Sequence, residues 1–287
     1  MESTVKTYLG CVPCFVRQTL EAAQRVTGDP AVHEAALREV LRRVADMDLA
    51  DPPPAMGQVI HRIVRRITGV DDPYREAKQR FNAFALGLYP ELTERIDASA
   101  DPVAAAVQLA AAGNVVDLGV KSGLDDAQVR EAIEGALEDP LDRDDAAAFR
   151  RAVEEAQDIL YLGDNAGEIV FDRMLIERLP REKITFVVRG RPIINDATME
   201  DAVETGIAAL VPVIDNGSDA PGTILSDCSP VFRERFAAAG LIIAKGQGNY
   251  ETLSAAGRGV FFLLKVKCPV IAEDIGCPVG TLILRRA

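Results

Sequence analysis

The chain has 287 residues, of which 48% are apolar and 26% are charged, and its formal net charge is -12. This length and balance exclude a disordered chain and allow either one large domain or two ordinary ones. The acidic charge argues against a nucleic-acid surface, because phosphate contacts need clustered Lys and Arg side chains.

The N-terminus and the cysteines indicate the compartment. Residues 1–10 lack the basic and apolar regions of a signal peptide, and no apolar run reaches the roughly 18 residues of a membrane span. The five cysteines are odd in number and irregularly spaced, which favours reduced thiols over a disulfide scaffold. We therefore expect a cytoplasmic protein with no nucleic-acid partner and no membrane partner. The sequence gives no indication of the oligomeric state.

Residues 1–150 are predicted to form an all-helical N-terminal region, because apolar residues recur there at three- and four-residue spacing. The predicted helices span residues 13–26, 31–45, 55–67, 73–88, 102–112, 125–137 and 144–156. His33 and His61 are interpreted as helix surface or packing residues rather than ligands. Arg62, Arg65 and Arg66 follow helical spacing, which is typical of a solvated face that could also meet an anion.

Residues 151–287 are predicted to form a Rossmann-like three-layer α/β/α domain with a mostly parallel sheet. Short β-branched runs alternate there with helical stretches, which is typical of buried strands covered on both faces. The predicted strands span residues 159–162, 184–188, 209–214, 241–244, 260–266 and 281–284.

Polar side chains follow three of these strands. Asp164 and Asn165 follow the first strand, Asp196 follows the second, and Lys245 follows the fourth. The carboxyl ends of parallel strands meet at one edge of a sheet, so these side chains are expected to share a crevice. Each also has a simpler interpretation as a helix cap or turn residue, since Asn165 and Glu168 have the form of a capping box. The combination favours a site.

The residue types in this crevice suit a metal and a phosphate. Carboxylate and amide oxygens are ligands for Mg²⁺, Mn²⁺ and similar ions, which can activate water and neutralise a phosphoryl group. Lys245 and Arg189 could stabilise charge on the transferring group. Glycines near the strand ends let backbone amides approach an anion; they are Gly163, Gly167, Gly246 and Gly248.

Several motifs resemble those of one family, the metal-dependent damage-control phosphatases, formerly a domain of unknown function and related to acidic-residue methyltransferase-like proteins. The motifs span nearly the whole chain: CVPC at 11–14, DPYREAK at 72–78, AGNVVD at 112–117, GDNAGEIVFD at 163–172, RGRPIINDAT at 189–198, KGQGNYETL at 245–253 and KCPVIA at 267–272. The paired cysteines resemble the archaeal and bacterial branch.

The resemblance implies a phosphatase that hydrolyses phosphorylated small metabolites, such as sugar phosphates or damaged metabolites, with a metal-activated water. It implies a divalent ion, Mg²⁺, Mn²⁺, Co²⁺ or Ni²⁺, held by Asp164, Asn165 and Asp196. The residues it places at the reacting phosphate are Asp164, Glu168 and Lys245. Those it places around the substrate are Arg189, Gly167, Asn249 and, from the helical half, Asn114 and Asp117.

Cys11 and Cys14 bracket Val-Pro at the start of a predicted helix, a geometry that can lower a thiol pKa or supply half of a second metal site. The other cysteines match no standard ligand spacing and are interpreted as small apolar residues; they are Cys228, Cys268 and Cys277.

Two other functions remain open from the sequence. A strand followed by a glycine-containing turn also describes the entry loop of an S-adenosylmethionine-dependent carboxyl methyltransferase or a nucleotide-binding module. Asp164 argues against both, because it would place a carboxylate where an anionic cofactor prefers bare amides. A third hypothesis is a protein that uses the metal for stability alone.

Overall fold

The computed structural model describes residues 5–113, 135, 141 and 145–287. Asn114, Asp117 and the predicted helix at 125–137, apart from Gly135, lie outside the described residues. No helix in the described ranges is long and apolar enough to span a membrane.

The described helices follow the expected order along the chain. Numbered over the described residues, they are α1 (Val12–Val26), α2 (Pro30–Ala45), α3 (Pro53–Thr68), α4 (Arg75–Asp97), α5 (Pro102–Ala112), α6 (Ala146–Glu155), α7 (Glu168–Ile176), α8 (Met199–Glu204), α9 (Ile207–Leu210), α10 (Pro230–Ala238), α11 (Gly246–Leu253) and α12 (Pro269–Ile275). Asp29 and Asp101 cap α2 and α5 with a side-chain oxygen, and a proline in the first turn follows each cap.

Six strands form one mixed, mostly parallel sheet. They are β1 (Ile159–Leu162), β2 (Ile184–Val188), β3 (Val213–Asp215), β4 (Leu241–Lys245), β5 (Val260–Lys265) and β6 (Leu282–Arg286). Their order is β3-β2-β1-β4-β5-β6, and β6 alone pairs antiparallel to its neighbour. The order reverses between β1 and β4, which is where ligands collect at the carboxyl ends of such sheets.

Helices cover both faces of the sheet. On β1, Ile159 and Tyr161 belong to one core, while Leu160 and Leu162 belong to the other. The first core is shared with α4, α5 and α7, and the second with α10, α11 and α12. Because side chains alternate along a strand, two buried faces require apolar residues at every position, and all four residues of β1 are buried. The predicted three-layer α/β fold with a helical N-terminal region is confirmed.

Two predicted elements differ from the structure. The predicted strand at 209–214 is a short helix followed by the three-residue strand β3, because Gly206 adopts a left-handed conformation (φ 80°) and Pro212 precedes the strand. Helix α4 continues past residue 88 to Asp97, with Pro90 inside it.

The division into two domains between residues 150 and 151 stays a prediction. Helices α4 and α5, which precede that boundary, share a hydrophobic core with the sheet that follows it.

Helices α1, α2 and α3 pack around a smaller core of their own and dock onto the carboxyl edge of the sheet. Phe15, Val40 and Ile60 lie in that smaller core. Gln58 Nε2 donates to Asp219 Oδ1 at 2.7 Å, and Arg62 Nη2 donates to the same oxygen at 2.5 Å. These contacts hold α3 over the strand ends, so the three helices form a roof above them.

His61 lies inside this roof as a buried packing residue. Its Nε2 is 3.4 Å from Gln18 Nε2, and its ring meets Tyr74 edge-on at 5.8 Å. Burial, helped by the positive charge of Arg65 and opposed by the negative charge of Asp219, lowers the pKa of His61 to about 3. The imidazole is therefore neutral at neutral pH, and its interpretation as a packing residue is confirmed.

We expect His61 to contribute to acid sensitivity. Its pKa is about 3 when folded and 6.5 when unfolded, so the unfolded chain binds more protons between these values. The stability is intact above pH 6.5 and is lost as pH falls, by about 2 kcal/mol from pH 7 to pH 5. Denaturant unfolding of His61→Gln at both pH values should show a correspondingly smaller fall than the wild type. His33→Gln is the control, and equal falls for His61→Gln and the wild type would contradict this assignment.

Candidate metal and substrate site

Three oxygen-bearing side chains converge at the carboxyl ends of β1 and β2. The loops after these strands are tied together, since Asn165 and Asp196 form an isolated antiparallel bridge and Ala197 N donates to Asp164 O at 2.7 Å. The side chains of Asp164, Asn165 and Asp196 all line one cavity of about 290 Å³. The structure therefore brings together the three residues that the sequence predicts as metal ligands.

The donor set of this trio fits a hard divalent cation. Asn165 Nδ2 donates to Asp164 Oδ2 at 2.9 Å and to Glu168 Oε2 at 3.1 Å. In this orientation the carbonyl oxygen of the Asn165 amide is the atom that could coordinate a metal, beside the carboxylates of Asp164 and Asp196. Two carboxylates and an amide oxygen on one cavity wall match the ligands that Mg²⁺ and Mn²⁺ prefer, with positions left for water and substrate.

The electrostatics of Asp164 also favour a cation. Burial raises the pKa of Asp164 well above its usual value, and the negative charges of Glu168 and Asp196 raise it further. The positive charges of Lys267 and Arg189 oppose this rise. Clustered buried carboxylates repel one another, and a bound cation removes that repulsion.

The chain leaves little room around the Asp164 carboxylate. Gly246 follows β4 with φ 79°, and a Cβ at this position would collide with the Asp164 carboxylate. Only glycine combines a left-handed backbone with this close approach. The first turn of α11 therefore packs directly against the candidate metal ligand.

A buried ion cluster lies beneath the cavity. Lys245 Nζ donates to Glu168 Oε1 at 2.8 Å and to Asp172 Oδ1 at 2.7 Å, and Tyr161 Oη donates to Asp172 Oδ1 at 2.9 Å. Lys245 is 0% exposed and does not line the cavity. Burial raises the pKa of Asp172 to about 6, although Lys245 opposes the rise. Glu168 connects this cluster to the site, because it also accepts from Asn165.

A second buried network lies behind the candidate ligands. Arg189 Nε donates to Asp196 Oδ2 at 2.7 Å, and Arg189 Nη2 lies 3.8 Å from Asp164 Oδ1. Thr223 Oγ1 donates to Asn249 Oδ1 at 2.8 Å, and Asn249 Nδ2 donates to the Lys245 carbonyl at 2.7 Å. Arg189 and Asn249 thus support the carboxylates and the strand ends from behind, and neither lines the cavity.

Gly167 faces away from the cavity. Its amide donates to Asn82 Oδ1 at 2.7 Å, and a Cβ at this position would meet Phe81 of α4. The amide is therefore engaged with the helical half. Gly167, Arg189 and Asn249 as substrate-binding residues, and Glu168 and Lys245 as residues at the reacting phosphate, stay predictions.

The comparisons with known proteins agree along the whole chain. The profile of the Damage-control phosphatase ARMT1-like domain matches residues 7–283. This chain is a member of the damage-control phosphatase ARMT1-like family. The resemblance carried by the sequence motifs is therefore confirmed.

Relatives of this family member include two archaeal proteins, each named a damage-control phosphatase. The one from Archaeoglobus fulgidus is 35% identical over 281 residues, which are 96% of this chain and 97% of that protein. The one from Pyrococcus horikoshii is 33% identical and is covered over 98% of both chains. The crystal structure of a DUF89 family protein from Pyrococcus horikoshii superposes with a TM-score of 0.90 at 34% identity, over 98% of this chain and 99% of that one.

Two residues that line the cavity of this family member are not among the site residues predicted from the sequence. Glu251, after β4, and Lys267, after β5, both line it. Burial raises the pKa of Glu251 to about 7, while its hydrogen bond from Gln247 and the charge of Lys267 lower it. The roof contributes Cys14, Phe15, Gln18, Pro53, Pro54 and Gly57.

The paired cysteines lie at the edge of this roof. Cys14 lines the cavity, and Arg17 Nη2 lies 3.8 Å from its Sγ. Burial raises the pKa of the Cys11 thiol, a Tyr8 backbone hydrogen bond lowers it, and Glu251 and Cys268 raise it through their charge. In the described ranges no three His, Cys, Asp or Glu side chains are grouped to hold a metal. The second metal site at Cys11 and Cys14 stays a prediction.

Proposed function

We propose that this chain is a metal-dependent phosphatase that hydrolyses phosphorylated small metabolites, such as sugar phosphates or damaged metabolites. The observation that carries the proposal is the convergence of Asp164, Asn165 and Asp196 on one cavity, in a member of the damage-control phosphatase family. A divalent ion, Mg²⁺, Mn²⁺, Co²⁺ or Ni²⁺, held there would lower the pKa of bound water and neutralise phosphoryl charge.

The chain's own residues supply the rest of the chemistry. Arg189 holds Asp196 and lies near Asp164, so both carboxylates stay oriented toward the cavity. Helices α1 and α3 form one side of the cavity, so they limit the room for a substrate beside the candidate ligands. Glu251 has a pKa of about 7 on the cavity wall, so it can exchange a proton with water or the leaving group near neutral pH.

The size of the cavity supports a small substrate. Its volume of about 290 Å³ lies just below the usual range of ligand pockets, which is about 300–1,000 Å³. This space suits a phosphorylated monosaccharide or a molecule of similar size better than a dinucleotide. The polar walls after β1, β2 and β4 suit the phosphate, and Phe15 and Gln18 in the roof suit the organic part.

Two observations speak against the alternative of an S-adenosylmethionine-dependent methyltransferase or a nucleotide-binding module. The Gly167 amide is already engaged by Asn82, so the turn after β1 does not offer this amide to an anionic cofactor. The Asp164 carboxylate lines the cavity at the same turn.

The cytoplasmic location that the sequence indicates stays a prediction.

The test is phosphate release before and after metal removal. Protein treated with a chelator is expected to release no orthophosphate from a panel of sugar phosphates, and to regain activity when Mn²⁺, Co²⁺, Ni²⁺ or Mg²⁺ is added back. Calorimetry with S-adenosylmethionine, run in parallel, is expected to show no binding. A chelator that lowers the melting temperature, in a protein that hydrolyses no phosphate ester with any metal, would favour a structural metal instead.

A further inference from the structure

Gln18 lies on helix α1, one turn after Cys14, and both residues line the cavity. Its Nε2 lies 3.4 Å from Nε2 of His61 on α3, which is the one hydrogen bond of the Gln18 side chain within the described ranges. Its Oε1 therefore has no hydrogen-bond partner in that part of the chain. A partly buried carbonyl oxygen beside a cavity is suited to accept a hydrogen bond from a ligand, because such polar atoms are usually paired.

His61 holds the Gln18 amide in one orientation. His61 is 2% exposed, and its low pKa, caused mainly by burial, keeps the imidazole neutral at neutral pH. A neutral imidazole has one donor nitrogen and one acceptor nitrogen. Since Nε2 of His61 faces the NH₂ group of Gln18, Nε2 accepts and the imidazole proton lies on Nδ1. Turning the amide would bring Oε1 against this acceptor, so Gln18 offers its carbonyl oxygen to a ligand.

Side-chain amides on the opposite walls of the cavity are engaged by the protein. Gln247 Nε2 donates to Glu251 Oε1 at 2.8 Å, and Gln247 Oε1 accepts from Lys267 N at 3.1 Å. Asn165 Nδ2 donates to Asp164 Oδ2 at 2.9 Å. These amides hold the walls of the cavity in place, whereas the amide in the roof keeps an acceptor for the organic part of a substrate.

The charge of the cavity favours a hydroxyl group as the partner of this acceptor. Asp164, Asp196 and Glu251 all line the cavity, so a second anionic group on a phosphorylated substrate would meet electrostatic repulsion there. A hydroxyl group carries no charge, and its O–H can donate to a carbonyl oxygen. The organic part of a simple alkyl or aryl phosphate has no such donor.

We propose that Gln18 accepts a hydrogen bond from a hydroxyl group of the substrate, and that this contact selects phosphate esters of sugars and polyols over alkyl and aryl phosphates. The inference rests on the proposed phosphatase function. The phosphate then lies at the candidate metal ligands, and the hydroxylated part of the substrate lies against α1. His61 acts as a positioning residue, because it contacts Gln18 and does not line the cavity.

The test compares hydrolysis of a panel of sugar phosphates and of phenyl phosphate by the wild type, Gln18→Met and Gln18→Glu, all loaded with Mn²⁺. Gln18→Met keeps the length of the side chain and removes the acceptor. Its kcat/KM for the preferred sugar phosphate should fall about tenfold, as expected for one lost hydrogen bond, while that for phenyl phosphate stays within about twofold. Gln18→Glu should slow both reactions by charge repulsion, but its carboxylate still accepts from a hydroxyl. The ratio of the two kcat/KM values should therefore be at least as high as in the wild type.

The matched control is Gln24→Met, at an exposed position of the same helix, which should leave both kcat/KM values unchanged. Gln18→Met also removes the hydrogen bond to His61, so its melting temperature should fall. The ratio of the two kcat/KM values does not depend on that loss, because both substrates are measured on the same folded protein.

A sugar-to-phenyl ratio in Gln18→Met within about twofold of the wild-type ratio would overturn the inference, whether both reactions slow together or neither changes. Wild-type protein that hydrolyses phenyl phosphate and no sugar phosphate would overturn it as well, and would leave a metal-dependent phosphatase. Wild-type protein that hydrolyses no phosphate ester with any metal would instead refute the proposed function itself.

Discussion

Replacing Asp164 by asparagine is expected to lower kcat for phosphate release by at least about 10³-fold, because a lost metal-ligand carboxylate removes several kcal/mol of charge stabilisation. The same change is expected to stabilise the metal-free protein. The folded pKa of Asp164 is raised, so its contribution to stability falls as pH rises and the carboxyl group ionises. An amide at this position carries no charge and avoids that loss.

The two effects can be measured on the same samples. At pH 8 in chelator, Asp164→Asn should melt at a higher temperature than the wild type. Added Mn²⁺ should raise the melting temperature of the wild type and leave that of the variant unchanged, since ligands that bind only the folded state stabilise it. A gain in stability together with a loss of activity is the pattern of a residue retained for function.

The control for Asp164→Asn is Asp158→Asn, at the opposite end of β1. Asp158 is exposed, and its Oδ1 accepts a hydrogen bond from Gly240 N at 3.1 Å, which an asparagine oxygen can also accept. This variant should keep wild-type activity and the wild-type response to Mn²⁺. If Asp164→Asn kept full metal-dependent activity, Asp164 would not be a ligand and the proposed site would be wrong.

The convergence of Asp164, Asn165 and Asp196 could be predicted from the sequence because it depends on topology. Each follows a buried strand, and strands β1 and β2 are parallel neighbours with Ile159 opposite Ile184. Parallel neighbours must end at the same edge of the sheet, so their following loops meet there. No long-range side-chain contact had to be known for this prediction.

The face of the sheet on which the Lys245 side chain lies follows from the alternation of residues along β4. The sequence motif at 245–253 does not show it by itself. Leu241 and Ile243 on β4 contribute to the core shared with α7, and Lys245 has the same parity. The side chain is therefore directed at α7, where Glu168 and Asp172 lie four residues apart on one helix face. Strand alternation gives the face of the sheet on which Lys245 lies, and the ion cluster itself depends on the position of α7.

The position of the roof and the position of Lys267 in the cavity wall could not be predicted in the same way. The contact between Gln58 and Asp219 joins residues 161 positions apart, and no local pattern records it. The position of Lys267 depends on the Gln247 hydrogen bond and on the path of the chain after β5. Such features follow from packing between elements, which periodicity and capping signals do not specify.

The second large effect is expected at Lys245, where Lys245→Met should destabilise the folded protein by about 3–5 kcal/mol, the usual result of breaking a buried ion pair by removing one partner. Methionine has a similar length but leaves Glu168 and Asp172 buried without their cation. For a chain of this size the melting temperature should fall on the order of 10 °C. Urea unfolding at pH 8 measures the loss directly.

Neutralising the cluster tests whether charge or packing causes that loss. The triple variant Lys245→Met, Glu168→Gln, Asp172→Asn contains no buried ion at this position, so it should regain most of the stability, since replacing every partner costs less than removing one. Lower pH should have the same effect on the single variant. Without Lys245 the pKa of Asp172 in the folded protein rises above about 6, so the folded state binds a proton there that the unfolded state has released. The loss of stability relative to the wild type therefore shrinks as the pH falls from 8 to 5. A deficit of equal size at both pH values, unrelieved in the triple variant, would assign the loss to side-chain packing and not to the ammonium charge.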